Sequence, residues 1–420
     1  MSVTLTTPNT INDSCPFDDC LITGFIKGLF AKIHGAKSEY NFTIVRHAAL
    51  IKDDLASLGA DHNKDFSFGY LNAMEAALPE AEFRYVAIHK NNKPLLIAYF
   101  QLYTLTSKNF NFDQNKGVGK TLVKFFLDLK KARILVSGNA VRNETAAFIY
   151  DKTILSEAIA TQGFIAAAEK VAADECPLAV VLRDVPVSQF LLDRGYQQPW
   201  EDEVMNMSIA PNWTYLQDYI NDLTRKYKAR ANKAIEACKP LRVAQLTESQ
   251  VAEHAGTINE LFNSLTRQQS FVLTEPAANY ITVLKKLYKN DFEVFGFFEG
   301  DKLVAFYSGF VTSDCYEMYY VGFDYTLNSQ YQLYFNMLFS GLERAIVLGK
   351  TTLKLGRTSF DAKASLGATA AGLNSYIKMV HLSDFVLRRF INYFSSMEDK
   401  HWKQRNPLKN AQPTVAGSEL

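Results

Sequence analysis

The sequence predicts an α/β (α+β) protein made of two similar units in tandem, each a mixed central sheet flanked by helices. Three observations carry this. The chain has 420 residues, too many for one ordinary core. Its composition, 48% hydrophobic and 21% charged, is that of folded domains rather than bulk disorder. One order of elements (hairpin, polar loop, helix, and a buried strand closed by glycine) occurs twice, with a long helical stretch between the copies.

In the first copy, residues 83–88 read as a strand, 90–94 as a turn and 95–105 as the returning strand. A polar, turn-prone stretch at 107–116 leads into apolar residues at helical spacing over 121–129. A buried strand, 133–137, is closed by Gly138-Asn139. In the second copy, 292–298 and 303–311 form the hairpin around Glu299-Gly300-Asp301-Lys302, and 316–323 is a further strand. Polar residues 326–332 precede a helix over 333–348, and a last strand, 352–355, is closed by Gly356-Arg357. Between the copies, 213–237 reads as one long helix with acidic residues early and basic ones late, which suits the helix dipole. Lys226, Arg230 and Lys233 share one face of it, either a solvated charged face or a cradle for phosphates or an acidic headgroup. The expected division is a flexible start at 1–20, a first domain at 21–209, the inter-domain helix at 210–240, a second domain at 241–402 and a disordered tail at 403–420. Apolar and basic residues interleave over 381–402, giving a helix that docks on the second domain or touches a membrane surface.

The bulk properties exclude several classes. A net charge of +1 argues against a protein that coats DNA. Five scattered cysteines form no disulfide framework, and Cys15 and Cys20 have no second pair at zinc-finger spacing, so no metal site is expected. Residues 1–12 lack a secretory pattern, and no uncharged apolar run reaches the ~20 residues a membrane span needs. The expected location is the cytoplasm, with a peripheral contact at the inner membrane face as the role weighed for the C-terminal helix.

Gly119-Lys120-Thr121 suggests a nucleotide-binding loop, but Gln114 stands where that motif requires glycine. The pattern Gln114-x-x-Gly117-x-Gly119 at the start of a helix instead resembles the acetyl-CoA pyrophosphate loop of the GNAT acyltransferase superfamily. Glycines there let the backbone approach a diphosphate, and the helix start supplies free N–H groups. Residues 213–230, Gly322-Phe323-Asp324-Tyr325 with Asn328 and Tyr334, and 355–359 with Lys363 and Gly367 resemble the tandem-GNAT, FemAB-like (peptidoglycan-biosynthesis-like) group of bacterial acyltransferases. The similarity spans about residues 80–380, and Ser137-Gly138-Asn139 fits, in the first copy, the place of 355–357. The resemblance implies two tandem GNAT-like acyl-CoA N-acyltransferase domains and direct attack of an amine on an acyl donor. No permanently bound cofactor is implied; acyl-CoA or an acyl carrier protein thioester would be the co-substrate.

Placement along the strands nominates the residues. Glu317 and Tyr319 alternate on one face of strand 316–323, with Tyr316, Met318 and Tyr320 on the other. Glu317 is the candidate general base, and Tyr319 or Tyr320 the candidate proton donor to the thiolate. Asp324 and Asn328 stand where a helix begins, as caps or ligand contacts. Arg357 is placed to grip a phosphate or carboxylate, or to pair internally with Asp324 or Asp361. Ser359 and Lys363 join it as candidate binding residues, with Gln114, Gly117 and Gly119. The expected acceptor is a small-molecule or lipid amine. Two other readings stay open: an aminoacyl-tRNA-dependent transferase acting on a cell-wall precursor, and a non-catalytic binding protein on the same fold.

Overall fold

The computed structural model describes residues 40–111, 128, 131–185, 188–198, 202–267, 269, 271–380 and 402–409. The first half runs β1 (Tyr40–Val45), α1 (Lys52–Ser57), α2 (Phe68–Ala77), β2 (Glu82–Lys90), β3 (Lys93–Thr104), β4 (Arg133–Ser137), β5 (Phe148–Tyr150), α3 (Glu157–Glu175), β6 (Ala179–Leu182), α4 (Gln189–Asp193) and β7 (Asp202–Ser208). The second runs α5 (Leu216–Asp222), α6 (Arg225–Cys238), β8 (Arg242–Gln245), α7 (Glu248–Glu253), α8 (Ala255–Thr266), α9 (Tyr280–Tyr288), β9 (Phe292–Glu299), β10 (Lys302–Val311) and β11 (Cys315–Phe323). It continues through α10 (Tyr325–Tyr331), α11 (Leu333–Val347), β12 (Thr352–Gly356), α12 (Phe360–Ala364), β13 (Thr369–Leu373) and β14 (Tyr376–Met379).

Two mixed sheets result, ordered β1-β2-β3-β4-β6-β14 (with β5 beside β3) and β13-β7-β12-β11-β10-β9-β8. Each contains an antiparallel meander followed by one parallel pair joined through a helix: β4 and β6 across α3, β11 and β12 across α10–α11. The duplication is therefore real, but its register differs from the one the sequence suggests. Arg133–Ser137 pairs antiparallel with β3 and parallel with β6, so it answers to β11 and not to β12. The counterpart of the Gly356-Arg357 corner is Arg183-Asp184, directly after β6. Residues 138–147, after β4, answer to the segment that follows β11.

Three apolar clusters layer the molecule. One packs α3 against the outer face of the first sheet, and one packs α5, α6 and α11 against the outer face of the second. The third lies between the sheets, where Tyr85, Ile97 and Tyr99 of the first half meet Tyr280, Leu284, Phe292 and Phe306 of the second. Alternation explains the division: Tyr85 and Ala87 of β2 face inward between the sheets while Val86 and Ile88 face α3. Burial of each such side chain stabilises by ~1.5–3 kcal/mol, so the shared cluster binds the halves strongly together. The halves also exchange strands. β7, after the first unit in sequence, lies between β12 and β13 of the second sheet, and β14 pairs with β6 of the first.

Two further expectations change. The predicted helix over 213–237 breaks at Leu223 and Thr224, whose backbones are extended. The Thr224 N–H there donates to Pro407 O (2.8 Å), and Lys409 N–H to Asp222 O (2.8 Å). Residues 403–409, expected as part of a disordered tail, thus pack on the α5–α6 junction, with Trp402 stacked on Phe360. The polar run 326–332 folds largely as α10 rather than as a loop. Residues 1–20, the helix read over 121–129 (apart from Asp128) and the stretch 381–401 lie outside the described residues.

Candidate functional site

β11 and β12 pair only over Cys315–Glu317 and Thr352–Lys354. β12 then follows β7, β11 follows β10, and the two part beyond Glu317 and Lys354. A cleft of about 140 Å³ opens in that fork. Glu317, Tyr319 and Tyr320 line one side, and Lys354, Gly356 and Arg357 the other. The remaining wall comes from Val204 and Asn206 of β7 and from the first unit's Val141, Asn143 and Glu144, in the loop after β4.

A bulge shapes the β11 side. Ser308 of β10 faces two residues of β11, Tyr319 and Tyr320, where the register shifts. Its buried hydroxyl accepts from Tyr320 N–H (3.0 Å) and donates to Tyr320 O (3.1 Å), satisfying the extra residue's backbone. Strict alternation, which put Tyr320 opposite Tyr319, therefore fails. The two rings stack at 4.3 Å, and both pack toward the core between the sheets. Tyr319 Oη donates to Val141 O across the interface (2.8 Å) and shares a 2.8 Å bond with Tyr280 Oη. Burial raises both phenols well above their ordinary range, which makes them weak acids. Gly322 lets α8 reach this strand, because a Cβ there would lie 2.7 Å from the backbone of Leu261 and Phe262.

Four charges converge beside the bulge. Arg142 Nη2 lies 3.4 Å from Glu317 Oε2, and Lys354 Nζ forms a 2.8 Å ion pair with Glu144. Burial raises the Glu317 carboxyl, and Arg142 and Lys354 pull it part of the way back. For Lys354, burial opposes the charge, but Glu144 and Glu317 more than offset this and raise its pKa. Arg142, Glu144 and Lys354 went unnoticed in the sequence. The available signal was the run Arg142-Asn143-Glu144 between two apolar strands, masked by the misaligned repeat.

Arg357 reaches the cleft from a strained corner. Gly356, Thr358 and Ser359 all have positive φ, the last two at a cost of ~1–3 kcal/mol each. Lys363 holds this corner, donating to Gly356 O (3.1 Å) and Arg357 O (2.6 Å). It is 3% exposed, and burial lowers its pKa to about 7. The Lys363 amine, nominated for phosphate, thus faces backbone carbonyls. Of the acids considered as partners of Arg357, Asp361 accepts from Arg405 (2.9 Å), while Asp324 caps α10 and faces Lys302. Asn328 Oδ1 accepts from Tyr334 N–H at the start of α11 (3.1 Å). Asp324 and Asn328 organise the helix starts around the cleft, Ser359 precedes α12 without capping it through its side chain, and none of the three lines the cleft. Gln114, Gly117 and Gly119 lie outside the described residues.

A groove of about 300 Å³ runs between α6 and α11, walled by Tyr219, Leu223, Tyr227, Phe335 and Phe339, with Arg230 and Lys233 among its lining residues. Lys226, from the same predicted basic face, sits beside the Tyr227 ring instead. In the first unit the corresponding fork holds a larger cleft of about 890 Å³, bounded by Arg183, Asp184 and β5. Among the described residues no group of three His, Cys, Asp or Glu side chains is placed for a metal ion. None of the described helices is long and apolar enough to cross a membrane.

Two mixed sheets, each with a forked parallel pair bridged by a helix, define the architecture of an acyl-CoA N-acyltransferase fold in duplicate. Residues 223–364 match the family described as acetyltransferase (GNAT) domain, a match that falls on the second unit. No curated protein matches it in sequence. Among solved structures it is similar to FemX (11% identity, 77% of this chain and 94% of that one, TM-score 0.46). It is also similar to a tandem GNAT protein of the clavulanic acid biosynthesis pathway (10%, 82% and 100%, 0.47). A third is the C-terminal domain of a putative lysylphosphatidylglycerol synthetase from Agrobacterium fabrum (11%, 82% and 96%, 0.46).

Proposed function

We propose that the protein is an N-acyltransferase that moves an acyl group from a thioester, acyl-CoA or an acyl carrier protein, to an amine, with the reaction in the β11–β12 fork. One observation carries this reading: a half-buried carboxylate, Glu317, stands where the parallel strands separate, beside a backbone that has left its ladder on that side. Such a fork admits an extended donor arm and brings its carbonyl alongside the base. Glu317 takes a proton from the ammonium; the freed nitrogen attacks the carbonyl, and the carbon–sulfur bond breaks as the amide forms. The second nitrogen proton leaves with the thiolate as thiol. Arg357 and Lys354 contribute positive charge on the facing wall, where the oxyanion develops.

The test is thiol release from acyl-CoA thioesters of several lengths with a panel of amines, products identified by mass spectrometry. Glu317→Gln should lower turnover ~10²- to 10⁴-fold and leave the melting temperature nearly unchanged. Wild-type turnover that is absent for every thioester, or unaffected by Glu317→Gln, overturns the reading.

A further inference from the structure

The loop after β4 leaves its own sheet and completes the other unit's cleft. It turns at Gly138, where φ is +65° and a Cβ would meet Ala147 at 3.1 Å. Its backbone is fixed mainly by first-half groups, with Tyr319 of the second half donating to Val141 O. Gln101 Oε1 accepts from Ala140 N–H (2.8 Å), and Asn139 Oδ1 from Val141 N–H (3.0 Å). The Arg183 guanidinium donates to Asn139 O (2.6 Å), to Arg142 O (3.3 Å) and to Asn143 Oδ1. From that platform the Arg142 side chain crosses the interface, 6% exposed.

Its far end is held by an acid, a phenol and an aromatic face. The guanidinium lies 3.7 Å from the Phe310 ring centroid and contacts Asp65 and Tyr288 Oη. Tyr288 Oη also donates to Asp65 (2.6 Å), which fixes that carboxylate. The remaining Nη2 faces Glu317. Glu317 itself is faced by Arg142 and Glu144 from the loop and by Lys354 from β12, and the latter two already pair with each other. Arg142 is thus a cation rooted in the first unit, held by groups of both units, whose Nη2 edge meets the second unit's carboxylate.

We infer that Arg142 is a positioning residue contributed by the first unit, which holds the Glu317 carboxylate ionised and aimed into the second unit's cleft. This rests on Glu317 being the base. Without a fixed cation beside it, a buried carboxyl binds its proton more tightly, and a protonated Glu317 cannot accept one from an ammonium. An opposite charge within ~4–6 Å moves a carboxyl by ~1–3 pH units, which sets the size of the effect. Asp65 competes for the same guanidinium, so the arrangement gives two perturbations of opposite sign.

The experiment uses the full-length protein with glutamate side-chain carboxyls labelled with carbon-13, Glu317 being assigned by its loss in Glu317→Gln. Its NMR titration midpoint should rise by ~1–3 pH units in Arg142→Met, stay near wild type in Arg142→Lys and fall in Asp65→Asn. In parallel, the rising limb of the pH–rate profile for thiol release from acetyl-CoA with an amine acceptor should shift as the midpoints do. A Glu317 midpoint unchanged in both Arg142→Met and Asp65→Asn overturns the inference, and Asp65→Asn decides the matter if Arg142→Met fails to fold. Shifted midpoints without thiol release in any variant support the positioning role and overturn Glu317 as the base.

Discussion

Lys363 shows how one buried side chain can serve a site without touching its contents. Its amine ties down the two carbonyls of the corner that aims Arg357, and burial lowers its pKa from 10.5 to about 7. Between those values the unfolded chain holds a proton that the folded protein lacks. Stability should therefore rise with pH from ~7 toward 10, by up to ~1.4 kcal/mol per unit, and be independent of this group's titration below pH 7. Lys363→Met removes this contribution. Urea midpoints at pH 7 and pH 9 should converge in the mutant and differ in the wild type; equal slopes in the two proteins would sink the assignment. Glu317 could be nominated from sequence because an acidic residue amid aromatic ones on a buried strand is conspicuous. Arg142 could not, because its importance comes from a contact 175 residues away in the chain, which no local pattern encodes.

At the scale of elements, strands were the most legible. Residues 292–298, 303–311 and 316–323 are short runs rich in aromatic and other apolar residues between clear turns, and each appears within a residue or two of its predicted bounds. α3 gave no periodic signal, since residues on all its sides are buried and alanine dominates its sequence. The bulge at Tyr319–Tyr320 was invisible for a related reason: what creates it is the hydroxyl of Ser308 on the neighbouring strand. The break between α5 and α6 likewise depends on the distant chain at Pro407. α6 does keep the basic face read from its sequence, and two of the three residues reach the groove against α11. If that groove takes the anionic end of the donor, Arg230→Glu with Lys233→Glu should raise the apparent KM for acyl-CoA ~10-fold or more and leave kcat nearly unchanged. An equal fall in kcat and kcat/KM would place those residues elsewhere in the reaction.

At the scale of the molecule, the sequence division near residue 210 does not correspond to a division of sheets. Each half donates a strand to the other, and they share an apolar cluster. Residues 40–209 and 210–409 expressed separately should each be insoluble or molten, with weak near-UV circular dichroism. Co-expression should recover a 1:1 complex with native-like melting. A well-folded isolated half would contradict the exchange. The repeat itself was visible in the sequence, but its alignment was offset by one strand, because glycine closes both Arg133–Ser137 and Thr352–Gly356.

The exchanged strands also constrain how substrates come and go. In a protein of two hinged lobes, a cleft at the junction opens when the lobes swing apart. Here that swing would tear β7 from β12 and β14 from β6, breaking backbone ladders within both sheets. The fork between β11 and β12 thus has a frame that cannot gape, and traffic through it must rely on side-chain rotations and the motion of loops at its rim. Selectivity would then be set by the dimensions of the passage, not by how far the lobes close around their cargo.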